Sequence, residues 1–185
     1  MLRTLSFAAF AAAAALVPSS VFAQATSEKM GVSDSLFAIT AADGGMTEVI
    51  MAQMGVKKAT NPELKKFSEQ MVEEHTKVNN QLKELAARKG MTLPTTISPG
   101  HQFCGQSLMG LSGEEFDTAY AVSQLILHMD TVAVFSAEAE RGQDPDIKAF
   151  AAKTLPHIKA HTKHLRPIAQ RYEHEKMEKE PKAAH

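Results

Sequence analysis

Three histidines, His75, His128 and His161, fall inside apolar stripes on three different helical segments, and His157 lies one helical turn before His161. Neutral imidazole is a good ligand for zinc, copper, nickel and iron, so rings from separate helices that met at one interior point would make a metal site. Glu48 shares a three- and four-residue spacing with Phe37, Ala41, Gly44 and Met51, and adds a carboxylate from a further segment. The candidate metal ligands are therefore Glu48, His75, His128, His161 and His157, around one Zn, Cu or Fe ion. The competing expectation is that each ring bonds to a carboxylate such as Glu48, Glu74 or Asp130 and links helices without metal, because buried polar groups need partners. His157, His161 and His164 follow at spacings of four and three along one face, and His164 is expected to stay partly exposed near the negative end of its helix.

Other chemistry is weaker. No nucleophile motif, phosphate-binding glycine loop or cofactor signature accompanies the histidines, so no catalytic residue is expected. Cys104 is the sole cysteine, which forbids an internal disulfide and offers at most an intermolecular pairing;. Met46, Met51 and Met54 could serve Cu(I) as thioethers, but their helical spacing favours packing.

The elements that must position these residues are helical. A first helix is expected over about 33–60, with Gly44 and Gly45 admitting a close neighbour. Asn61-Pro62-Glu63 reads as a cap, a proline at the first helical position and an acid in the first turn. The stripe that follows is Leu64, Phe67, Met71, His75, Val78, Leu82 and Leu85, and it stops at Gly90. From Gly90 to Leu111 the composition turns to proline, glycine, serine and threonine, which marks a crossover with room for a short helix near Gln102 to Met109. Ser112-Gly-Glu-Glu115 reads as a capping box for a third long helix. Asp144-Pro145-Asp146 opens a fourth, which Pro156 is expected to kink. The patterns around Asn61 to Phe67 and Asp144 to Phe150 match, so the chain divides into two helical hairpins. The fold expected is all-α: an up-down four-helix bundle, ferritin-like, with a long crossover between helices 2 and 3.

Composition bounds the setting. Residues 1–25 carry Arg3, an apolar run and small residues at Ala23 and Ala25, as a secretory signal peptide does. Its removal leaves 19 basic against 21 acidic residues, since it takes Arg3 and no acid from totals of 20 and 21, and this near balance argues against nucleic acid as a partner;. No later stretch is long and apolar enough to span a membrane. The expectation is a periplasmic protein with one bundle domain over 33–172 and a charged tail over 173–185. It could associate with itself, with an envelope protein or peripherally with the outer membrane.

Phe37 to Met51 (FAITAADGGMTEVIM), Met71-Val-Glu-Glu-His75-Thr-Lys-Val-Asn79, Leu85 to Gly90 with Leu93-Pro94, Phe116-Asp117 with Tyr120 and His128, and Leu155-Pro156 with His161 carry a resemblance. The chain resembles a bacterial envelope family of ferritin-like four-helix fold, catalogued as a domain of unknown function and often labelled a predicted outer-membrane protein. The resemblance implies the bundle and an envelope location, and supplies no activity. The wider ferritin-like group holds paired metals with Glu-x-x-His motifs. Here Val72 and Ile158 stand three residues before His75 and His161, so a di-iron oxidase is not expected and a single-metal site richer in histidine remains.

Overall fold

The protein is described from a computed structural model that covers residues 33–179, with the backbone alone for 173–179. The signal peptide expected over residues 1–25 lies outside the described residues. Five helices and no strand occur among them: α1 (Asp34–Lys58), α2 (Pro62–Arg88), α3 (Pro99–Met109), α4 (Gly113–Arg141) and α5 (Pro145–Lys179).

Helix starts follow the sequence closely. Ser33 Oγ accepts from Leu36 N, Asn61 Oδ1 from the amides of Glu63 and Leu64, and Asp144 Oδ1 from those of Asp146 and Ile147. Each of these oxygens occupies an amide that the first helical turn leaves without a partner. Ser112 departs from the expected capping box. It stands at the cap position of α4 without a side-chain hydrogen bond, and Gly113, at φ 57°, makes the turn into the helix instead. α5 continues through Pro156 and also Pro167, both on its exposed face, where water can reach the carbonyls that lose a helical donor;. It also continues past Tyr172 into the charged segment.

The apolar residues form two clusters. One holds Met51, Leu64, Phe67, Met71, Phe116, Tyr120, Leu165 and Ile168 among others. The second includes Phe37, Ala41, Leu82, Leu85, Phe135, Ile147 and Ile158. Along α1 and α5 the chain passes from the second cluster to the first, whereas along α2 and α4 it passes from the first to the second. The helices within each hairpin are therefore antiparallel, and the 89–112 connection with α3 returns the chain so that α4 runs the same way as α2. α1 packs on α2 and α4, and α5 packs extensively on α4 but only lightly on α2. α2 and α5 are tied at both ends, by Lys89 Nζ to Asp144 Oδ2 at 2.8 Å and by Asn61 Nδ2 donating to Tyr172 Oη at 2.9 Å.

Polar anchors hold the connections. The buried Asp117 carboxylate accepts from the amides of Thr60 and Asn61, which fixes the α1–α2 turn to α4. Asp43 Oδ1 accepts from Ser98 N at 2.7 Å and its Oδ2 meets His101 Nδ1 at 2.9 Å, which pins the start of α3 to α1. At the other end of α3, Lys58 donates to the Leu108 and Met109 carbonyls and lies over the Phe116 ring.

Close helix approach occurs at one glycine of the expected pair, Gly45 against Asn79 of α2, and also at Gly55. A Cβ on Gly44 would have Thr131 Oγ1 4.0 Å away, while one on Gly45 would meet the flexible end of Asn79. The tight position within the apolar core is Gly55, where a Cβ would meet Ser68 Oγ and lie 2.6 Å from the Tyr120 ring. Those two groups hydrogen-bond each other at 2.8 Å inside the core and have little freedom to move. Gly55→Ala should therefore destabilise the protein by about 1–3 kcal/mol through overpacking. Gly44→Ala, with open space and better helix propensity, should stabilise it by up to about 1 kcal/mol. Urea denaturation of the two variants checks both signs.

Candidate metal centre

On each of the four long helices a polar side chain stands where one apolar cluster gives way to the other. Glu48 lies between Ala42 and Met51 on α1, His75 between Met71 and Leu82 on α2, Gln124 and His128 between Ala121 and Phe135 on α4, and His161 between Ile158 and Leu165 on α5. Helical spacing puts these residues on the inward faces, and the antiparallel packing brings them to one level. All five are buried; Gln124 and His128 are completely so.

The three imidazoles form a nearly regular triangle, with ring centroids 5.4 Å (His75–His128), 5.7 Å (His75–His161) and 5.6 Å (His128–His161) apart. One ligand nitrogen from each ring lies within 4.8 Å of the others. Bound to one ion at about 2.0–2.1 Å in tetrahedral geometry, such nitrogens would stand roughly 3.4 Å apart, which small side-chain rotations can supply.

The hydrogen bonds at the outer edges of the triangle decide which nitrogens remain free. His128 Nδ1 donates to the Gln124 carbonyl at 3.0 Å, and His161 Nε2 donates to Glu74 Oε2 at 2.7 Å. A neutral ring that donates through one nitrogen presents a lone pair at the other. His128 Nε2 and His161 Nδ1 are those remaining nitrogens, and His75 Nε2 is a third nitrogen that is likewise buried and without a hydrogen-bond partner on the protein. Glu48 Oε1 lies 3.1 Å from His128 Nδ1, but that nitrogen directs its proton at the Gln124 carbonyl, and both Glu48 oxygens lack a hydrogen bond. Phe67 flanks the triangle, its ring 6.0 Å from His128 and 6.5 Å from His161.

Charge is distributed unevenly. Burial pushes the His75 pKa down from 6.5 to about 4, against the opposing pull of Glu48. Burial also lowers His161, with Glu74 resisting. For His128 burial acts in the same direction, but the charge and proximity of Glu48 outweigh it and the pKa rises. Burial alone would raise Glu48, yet His128 and then His75 hold its carboxyl below the usual range. At neutral pH the layer thus contains an ionised Glu48, a His128 inclined to hold a proton, and two neutral rings.

Of the five sequence-based candidates, His75, His128 and His161 converge. Glu48 is in the layer but stands against the Nδ1 side of His128, outside the group whose donor atoms are mutually within 4.8 Å. His157 is exposed and lines the outer part of a neighbouring cavity, also outside that group. His164 is half-exposed, 3.7 Å from Glu63. Glu48 and Glu74 do act as carboxylate neighbours of the rings, whereas Asp130 is exposed. Sequence reasoning missed Gln124, whose signal is its place four residues before His128 on the same face.

The fold and site define a class: a helical bundle whose core is divided by a buried histidine layer with free nitrogens. The chain belongs to the family described as a domain of unknown function (DUF4142), whose model matches residues 19–168. No curated protein matches the chain. Solved structures share its fold. A DUF305 fragment from Deinococcus radiodurans is 12% identical, with TM-score 0.66, over 75% of this chain and 95% of that one. CopM in its Cu(II)-bound form is 18% identical, with TM-score 0.65, over 77% and 99%. A conserved hypothetical protein from Mycobacterium tuberculosis is 13% identical, with TM-score 0.58, over 73% and 96%.

His75 gives the metal-free protein a defined response to acid. Above pH 6.5 the ring is neutral folded and unfolded; between 6.5 and about 4 only the unfolded chain takes the proton. Stability contributed by the neutral ring is thus present above 6.5 and lost as pH falls, by roughly 2 kcal/mol between about pH 7 and pH 5. His161 acts in the same direction and His128 in the opposite one. Urea midpoints of the metal-free protein should drop across this window, and His75→Gln should drop less.

Proposed function

We propose that this protein binds a single transition-metal ion through His75, His128 and His161, as an envelope protein of the periplasm. The observation that carries the proposal is the convergence of three buried imidazoles, one nitrogen of each within 4.8 Å of the others, where every ring has a buried nitrogen without a partner on the protein. Unpartnered buried acceptors destabilise a core, and a cation shared between them removes that penalty. An all-nitrogen set suits Zn²⁺ or Cu²⁺ better than Cu(I), which prefers sulfur. CopM, of similar fold, is a protein with Cu(II)-bound and Ag-bound forms, and this supports a metal in a bundle of this shape. The missing Glu-x-x-His motifs argue against paired iron. Glu74 and the Gln124 carbonyl would orient the rings from outside, and Glu48 would supply the buried negative charge beside the ion.

The rival reading, in which the rings only link helices within an envelope interaction module, draws on the His161–Glu74 bond between α5 and α2. That bond uses one nitrogen of one ring and leaves the three inner nitrogens unexplained.

Untagged protein should take up about one equivalent of Zn²⁺ or Cu²⁺ and, at free metal near 100 times Kd, gain about 2.7 kcal/mol, or roughly 5–10 °C in Tm. His75→Ala should abolish the gain. Glu48→Gln should retain one equivalent but bind it about 10- to 100-fold more weakly, as expected of an outer carboxylate. A wild-type melting temperature indifferent to both metals would overturn the proposal.

A further inference from the structure

A cavity of about 400 Å³ opens between α2 and α5, two long helices that touch only lightly. It lies between the two ties at Lys89–Asp144 and Asn61–Tyr172. Its inner end is formed by His75, His161 and Glu48, which belong to the polar layer itself. The walls beyond are apolar where Leu82, Phe135 and Ile158 contribute. Lys77 from α2 and Lys153 from α5 face the space and take part in none of the ion pairs among the described residues, while Glu73 and Glu74 of α2 also line it and offset their charge. A water occupies about 30 Å³ of liquid, so the space holds on the order of a dozen waters or one small organic molecule.

We propose that the ion held by the three histidines keeps one coordination position open to this cavity, and that a short-chain carboxylate binds there. This inference rests on the metal-binding reading above. Three protein donors leave Zn²⁺ or Co²⁺ at least one position short of its usual number, which is how exchangeable sites differ from closed structural ones. No fourth protein donor stands in place: Glu48 lies against the outer nitrogen of His128, and His157 is exposed. Three neutral imidazoles leave the full charge of the ion, and with Glu48, Glu73 and Glu74 set against Lys77 and Lys153 the lined space keeps a single net positive charge. The remainder attracts an anion, which Lys77 and Lys153 help to draw toward the cavity. The apolar walls then select an anion with a short hydrocarbon chain over a purely inorganic one, because each buried methylene adds favourable transfer energy.

The test uses the full chain loaded with one equivalent of Co²⁺, whose visible absorption reports coordination, titrated with acetate, butyrate and azide. The expected result is a saturable spectral change, with butyrate binding several-fold more tightly than acetate. In Lys77→Gln/Lys153→Gln, Co²⁺ should bind no more weakly while butyrate affinity falls several-fold. A spectrum unmoved by any anion, with Co²⁺ bound, overturns the inference and leaves metal binding intact. Azide binding as tightly as butyrate, with the lysine variant unaffected, overturns the carboxylate assignment. Failure to bind Co²⁺, Zn²⁺ or Cu²⁺ removes the proposed function and this inference with it.

Discussion

The structure depends on the requirement that polar atoms taken out of water find partners. Glu48, His75, Gln124, His128 and His161 sit at one level of the core, where the inner nitrogens find no partner on the protein. The polypeptide meets part of the demand itself: the Gln124 carbonyl takes the His128 Nδ1 proton and Glu74 takes that of His161 Nε2. Each bond fixes a tautomer and turns the other nitrogen inward. Satisfying the outer edge of the layer therefore concentrates the deficit at its centre, where a buried nitrogen of each ring has no partner on the protein.

The two apolar clusters make that arrangement tolerable. A polar layer at one end of a bundle would fray into water, but here well-packed groups lie on both sides: Met51, Phe67, Met71 and Tyr120 on one, Phe37, Leu82, Phe135 and Ile147 on the other. Their burial holds the backbones, and the Ser68–Tyr120 bond against Gly55 locks one side. The same division explains the cavity. α2 and α5 are joined at their ends and by the single His161–Glu74 bond between them, and the opening falls beside the layer, where His75 and His161 present rings instead of interdigitating aliphatic chains;.

The periodicity of each helix made the layer legible in the sequence, because His75, His128 and His161 each occupy a stripe position that an aliphatic residue would otherwise fill. Cap residues Asn61 and Asp144 were legible for a similar reason: the chemistry is local. Features set by register between helices were not. Whether Glu48 meets a ring through its inner or outer nitrogen depends on how far α1 slides along α4, and no single-helix pattern encodes that. Gly44-Gly45 drew attention as a pair, and Gly45 does stand close against Asn79 of α2, but the further close approach at Gly55 was not legible, since its partners Ser68 and Tyr120 come from two other helices. The capping box at Ser112 failed because Gly113 could adopt a positive φ and turn the chain without it;.

The charge pattern of the layer also constrains how an ion and a proton would compete for it. Glu48 is ionised and His128 is inclined to protonate, so the metal-free core tends toward one buried carboxylate–imidazolium pair flanked by two neutral rings. A protonated His128 carries hydrogens on both nitrogens, and its Nε2 proton has no acceptor;. An ion at the centre needs that same nitrogen, so binding expels a proton from His128 and little from His75, which is already neutral. The Glu48 charge persists through the exchange, first beside a proton and then beside the metal. Glu48 accordingly favours both competitors, but a divalent ion gains twice the attraction of a proton at a comparable distance. A buried acid placed outside the ligand ring is thus consistent with a site that holds its metal at neutral pH and yields it to acid through a single ring.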